Sequence, residues 1–174
     1  MIAARGLIGA ALVALATPVL AKDETAQAFA ALDACLAAAA DDRAGARACV
    51  GRAAGVCMDT TEGGQTTVGM GVCLMDELDW WDARLSETFT ELMALHAAMD
   101  AENAAAGLTL PSLAETLEDF HRAWSAYRDA ACTYEHAHWM GGTGGGPASA
   151  ACRLHLTGAH ALDLMARLGD ARLP

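Results

Sequence analysis

Residues 120–152 read FHRAWSAYRDAAC, TYEHAHWM and GGTGGGPASAAC in succession, and the fold is decided there. With the residues just before them, Leu113, Leu117, Phe120, Trp124, Tyr127, Ala131, Tyr134 and His138 fall at alternating steps of four and three. That spacing puts them on one stripe of a helix and leaves Arg122, Asp129 and Glu135 off it. The stripe predicts core packing, with Trp124 and Tyr127 as core residues and Arg128 and Asp129 available for local polar contacts. The helix cannot run on through Gly141, Gly142, Gly144, Gly145, Gly146 and Pro147, because glycine loses the most entropy in a helix and proline lacks the N–H. Cys132 before this Gly-rich turn and Cys152 after it are placed to tie the next helix back onto the first.

Working outward, the longest helical pattern runs from about Met70 to Ala106. Leu78, Leu85, Leu92 and Met99 recur every seventh residue, with Phe89 and His96 between them, as in a long helix packed on a bundle. Asp76, Glu77, Asp79, Asp82, Glu87 and Glu91 crowd its first half and read as a solvated acidic face. Gly107 to Ser112 forms a turn, with Pro111 suited to the start of the helix that follows. Beyond the Gly-rich turn a last helix, about Ala148 to Leu168, turns Leu154, Ala161, Met165 and Leu168 inward. Upstream, Lys22 to about Ala40 forms a helix with Phe29, Leu32 and Leu36 on one face. Asp41-Asp42 marks its exit and caps a second helix from about Arg43 to Val56. Residues 59–71 (DTTEGGQTTVGMG) then form a polar loop. The expectation is one all-α domain, an irregular helix bundle tied by disulfides.

Compartment and charge come from the chain's start and its balance. Arg5, the uncharged run Gly6 to Leu20, and the small residues Val19 and Ala21 at the −3 and −1 positions spell an export signal over residues 1–21, cleaved before Lys22. That apolar run is short for a membrane span, and no Cys stands directly after it to carry a lipid. The whole chain of 174 residues carries a formal net charge of −11. Loss of the signal removes one basic residue and no acid. Such a balance argues against nucleic acid, whose phosphates need Lys and Arg, and favours a basic partner, although acidity is also an ordinary means to solubility. All six cysteines (Cys35, Cys49, Cys57, Cys73, Cys132 and Cys152) follow the signal, and an even count in an exported chain reads as a disulfide framework. Sequential pairing is favoured among the possible connectivities, since each neighbouring pair brackets a break between helical segments.

Catalytic patterns are not found. The chain has no Cys-x-x-Cys-His, no His-Glu-x-x-His, no Gly-x-Ser-x-Gly and no P-loop, and GGTGGG lacks the lysine and preceding strand of a phosphate cradle. The acids of the long helix are spread around it rather than paired as in glycoside hydrolysis or set out as a calcium loop. His136 and His138 are two apart, and His155 and His160 five apart, which are poor chelating steps on a helix. No cofactor or metal is expected, and the chain reads as a non-enzyme.

The spacing of aromatic, charged and Cys residues resembles the lysozyme inhibitor LprI-type domain family over about residues 57–168. Cys57 with Met70-x-x-Cys73 resembles that family's first cysteine pair. Leu85-Ser86, Phe89 and Leu92 resemble its Leu-Asn-x-x-Tyr-x-x-Leu helix. Trp124-x-x-Tyr127-Arg128-Asp129-x-x-Cys132 resembles its strongest motif, and Gly141-Gly142, Cys152 and Thr157 its closing segment. Ser86 stands where the family commonly has Asn, His160 where an Arg usually follows the Thr, and the Cys57–Cys73 loop is longer than is typical. Residues 22–56, the hairpin carrying Cys35 and Cys49, look like an addition. The resemblance implies an exported protein that binds and blocks a lysozyme. The rival is a non-enzymatic envelope protein that scaffolds or binds another basic or cell-wall component. Either disulfide-held loop could make the contact. Residues 58–72 are favoured over residues 139–149, because Asp59, Thr60, Thr61, Glu62 and Gln65 could bond a sugar-binding cleft.

Overall fold

The computed structural model describes residues 19–40 and 42–172, and within them the chain forms six helices and no strand. They are α1 (Val19–Ala38), α2 (Arg43–Ala48), α3 (Arg52–Thr60), α4 (Thr67–Ala105), α5 (Leu113–Ala137) and α6 (Gly145–Ala171). Residues 1–18, which carry most of the expected export signal, lie outside the described residues. The expected cleavage point falls within the first turn of α1.

The expected second helix is two. Asp42 caps α2 by accepting from the Ala44 N–H, and the chain then breaks at Gly51, whose φ of 95° suits a residue without a Cβ. The expected 59–71 loop shrinks for the same local reason. Thr66 caps α4 through the Gly69 N–H at 3.0 Å, so α4 starts at Thr67 and takes in Met70. Pro111 stands just before the cap of α5 rather than inside the helix. Ser112 is the cap, and Asp100 of α4 accepts from the N–H groups of Leu113 and Ala114 and from the Ser112 hydroxyl. Those bonds hold the Asp100 carboxyl below its ordinary value. The Gly-rich turn ends earlier than expected, and Gly145, Gly146 and Pro147 form the first turn of α6, where a missing N–H costs nothing.

At 39 residues, α4 is the axis of the bundle, about 58 Å long at 1.5 Å per residue. It packs on α6 and α5 along one side and on α3 along another, while α1 covers α3 and α2 leans on α6. Leu32, Trp81, Leu92, Leu154 and Leu164 are wholly buried in one cluster that joins α1 and α3 to α4 and α6. Gly158 permits a close approach in the core, since a Cβ there would lie 2.6 Å from Val50 Cγ1 and 3.3 Å from the Trp81 ring. Leu78, Leu85 and Leu92 are buried as expected, whereas Met99 and Met165 reach the surface. Disulfides join Cys35 to Cys49, Cys57 to Cys73 and Cys132 to Cys152.

Glu77 corrects the reading of α4 as having a wholly solvated acidic face. It is fully buried, and its carboxylate accepts from the N–H of Gly51 (2.7 Å) and Ala54 (2.8 Å) and from the Trp81 indole (3.0 Å). The first turn of α3 has no cap of its own, so Glu77 supplies one from another helix, where a negative charge also suits the dipole.

Candidate functional site

The inward row of α5 is Leu117, His121, Trp124, Arg128 and Cys132, rotated from the expected aromatic stripe. Only Leu117 and Cys132 are fully buried, Trp124 is half-buried, and Tyr127, expected in the core, is 60% exposed. Phe120 and Tyr134 also face solvent. α5 is an outer helix, touching α4 and α6 along one edge, and that edge accommodates an imidazole and a guanidinium whose carbons and planes stack.

The stack is continuous. Trp124 lies on His160 of α6, ring centroids 4.0 Å apart and planes within 15°, and His121 sits between Phe89 (4.4 Å) and Trp124 (5.4 Å). His121 Nδ1 and His160 Nε2 are 3.2 Å apart with ring centroids 5.4 Å apart, an end-to-end hydrogen bond in which one neutral ring donates to the other. Burial and the neighbouring His121 push His160 down to about 4, and burial with the nearby Arg128 also lowers His121. The pair is therefore neutral at neutral pH. Where the resembled family usually carries Arg, this chain has an uncharged stacking partner.

Arg128 ties the three long helices together. Its guanidinium donates to Thr157 Oγ1 of α6 (3.2 Å) and pairs with Asp82 of α4 (3.4 Å) and with Asp129 (3.4 Å), which also accepts from Arg153 (2.8 Å). Thr157 is wholly buried. Asp82, Ser86, Phe89, His121, Trp124, Ser125 and Arg128 line an open groove of about 220 Å³. Leu85, Phe89, Trp124, Arg128 and Thr157 of the sequence motifs thus converge in space, with Leu92 deeper in the core. No hydroxyl or carboxylate bonds either imidazole, and no group of three His, Cys, Asp or Glu among the described residues is set to hold a metal. The groove's polar groups are engaged mainly with one another, which positions α5 against α4 and α6.

Asp76, Asp79 and Asp82 follow one another at steps of three on α4. Partial burial raises both Asp76 and Asp82; Asp79 adds to the rise at Asp76, while at Asp82 Arg128 pulls down ahead of the smaller push from Asp79. Asp76 and Asp79 form no ion pair among the described residues, whereas Asp82 is paired with Arg128.

The two disulfide-held loops differ in form. Asp59 and Thr60 belong to α3, and only residues 61–66 are non-helical. Gln65 donates to Asp59 (2.9 Å), Thr60 to the Val56 carbonyl (2.9 Å) and Thr61 to Glu24 (3.4 Å), while Glu62 is exposed. Residues 58–72 are thus a compact, internally bonded turn. By contrast, residues 133–143 are all exposed, because the end of α5 and the turn after it run past the core. Cys132–Cys152 and the Ser149 hydroxyl, donating to the Cys132 carbonyl, clamp the base. Trp139 lies directly over Gly144, and Met140 has a φ of 47° and is 93% exposed. Gly141 and Gly142 are exposed at this tip.

Sequence reasoning missed His121 and Glu77 as structural participants. The four-three-four steps linking Leu117, His121, Trp124 and Arg128 were a signal for the first. The position of Glu77 four residues before Trp81 was a signal for the second.

Residues 57–164 match the family described as lysozyme inhibitor LprI. The chain is also 29% identical over 122 residues to a Rhodobacter capsulatus protein described as "Uncharacterized 17.7 kDa protein in puhA 5'region", covering 68% of this chain and 74% of that one. No solved structure matches it. The family match takes in the Arg128 groove and both loops closed by Cys57–Cys73 and Cys132–Cys152.

Proposed function

The chain belongs to the lysozyme inhibitor LprI family, and we propose that it binds a basic lysozyme and blocks its hydrolysis of cell-wall glycan. The family and the three disulfides indicate an extracytoplasmic protein, and no helix among the described residues is long and apolar enough to cross a membrane. Export by the signal in residues 1–21, into a periplasm or beyond, is part of the same proposal.

One observation carries the proposal beyond the family. The Asp76–Asp79–Asp82 row is kept at a cost in like-charge repulsion, with no cation assigned to its first two members, on a chain of net charge −11. A basic partner relieves that repulsion and is drawn in by it, which speeds association more than it deepens affinity. The groove residues then act by holding the three long helices in register, and the protein works by occupation rather than by chemistry of its own.

Turbidity clearing of a cell-wall suspension by a strongly basic lysozyme tests this. Inhibition is expected, with an association rate that falls as salt rises. Asp76→Asn with Asp79→Asn should slow association several-fold and flatten the salt dependence. Full clearing at every salt and inhibitor concentration, across several basic lysozymes, refutes the proposal.

A further inference from the structure

The ion pairs and ring contacts between helices fix their relative direction. Asp82 meets Arg128, Phe89 meets His121 and Asp100 meets Leu113, so α5 runs antiparallel to α4. Trp81 lies against Gly158 and Glu91 pairs with Arg172, so α6 runs parallel to α4. The 133–143 tip therefore stands at the end of the bundle where α4 begins. Six of the twelve large exposed hydrophobics belong to this end: Val68, Val72 and Met75 on α4, and Tyr134, Trp139 and Met140 on the tip.

The tip has the shape and charge of an inserted element. No acidic residue occurs between Glu135 and Asp163, in a chain with 22 acids. Glycines on either side of Thr143 add no side-chain width, so the loop is thin. Met140 holds a left-handed backbone without glycine and buries almost nothing in return, a local strain of the kind that collects at binding sites. The disulfide at the base and Trp139 resting over Gly144 limit the ordering that binding would otherwise require.

Resting on the lysozyme reading above, we infer that the 133–143 tip is the inhibitory element and that Trp139 and Met140 enter the partner's substrate cleft. A glycoside-hydrolysing cleft works with two carboxylates, which repel an acidic insert and accept a neutral one that brings the imidazoles of His136 and His138. The division of labour follows. Asp76 and Asp79 near the same end attract the basic enzyme, and residues 136–143 of the tip, acid-free beyond Glu135 at its base, fill its cleft. Residues 58–72, with Asp59 and Glu62, flank the contact and do not make it.

The test uses a strongly basic lysozyme, the cell-wall turbidity assay and the full protein. Trp139→Ala with Met140→Ala should raise the inhibition constant at least tenfold, while the melting temperature stays unchanged because both side chains lie outside the core. Thr143→Glu should weaken inhibition at least as much, whereas Leu110→Glu at the opposite end should not. Asp59→Asn with Glu62→Gln should leave the inhibition constant within twofold. Unchanged inhibition by the Trp139/Met140 variant overturns this assignment and leaves the family function standing. Loss of inhibition in the Asp59/Glu62 variant also overturns it. Absence of inhibition by the unmodified protein overturns both.

Discussion

Glu77→Ala would strand three buried donors at once: the N–H groups of Gly51 and Ala54 and the indole N–H of Trp81. Each buried donor left without a partner costs about 1–3 kcal/mol, and water entering the vacated space recovers part of that. The net loss should be about 3–5 kcal/mol, a large share of the stability of a domain this size. Glu77→Gln keeps the shape and leaves one oxygen to serve Gly51 and Trp81, but it turns an NH₂ toward the Ala54 N–H. It should cost less, about 1–3 kcal/mol. Urea unfolding followed by helical circular dichroism measures both, with an unchanged slope indicating that only stability has moved. A loss below about 1 kcal/mol for Glu77→Ala would refute the reasoning, and so would a Gln variant as damaged as the Ala variant. Either result would mean that the end of α3 finds its hydrogen bonds elsewhere.

Acid should weaken the fold through the histidine stack. His160 and His121 titrate below their ordinary value, so the unfolded chain takes up protons first as pH falls. Their contribution is complete above about pH 6.5 and drains away toward pH 4, which should remove about 1–2 kcal/mol between pH 7 and pH 5. His160→Gln should flatten that dependence in urea titrations at the two pH values, and an equally steep variant would acquit the pair. On α5, Trp124→Ala should cost about 3 kcal/mol, since the ring packs on His160 and is partly buried. Tyr127→Ala should stay within about 0.5 kcal/mol. Equal losses in the same titration would contradict the observed orientation of the helix.

The architecture was legible in the chain because its determinants are local. Four-three spacing, the Gly-rich break at residues 141–144 and the cap at Asp42 each act within one or two helical turns. The cysteine pairs bracket those breaks, so sequential pairing followed from the same reading. The sequence also contained the motif positions that converge on Arg128 and Thr157. What tertiary structure decided was orientation about each helix axis. A periodic stripe shows that α5 is amphipathic, but not which edge meets α4 and α6. Tyr127 could therefore read as core while His121 went unnoticed. A carboxylate among seven others on α4 carries no local sign of burial. Glu77 is inside because Gly51 breaks the chain and points the open N-terminus of α3 at that one position. In the same way, residues 58–72 and 139–149 are both polar or Gly-rich connections by composition. Only packing makes the first a bonded turn and leaves residues 139–143 of the second exposed past the core, because how far a helix overruns its neighbours depends on where those neighbours end.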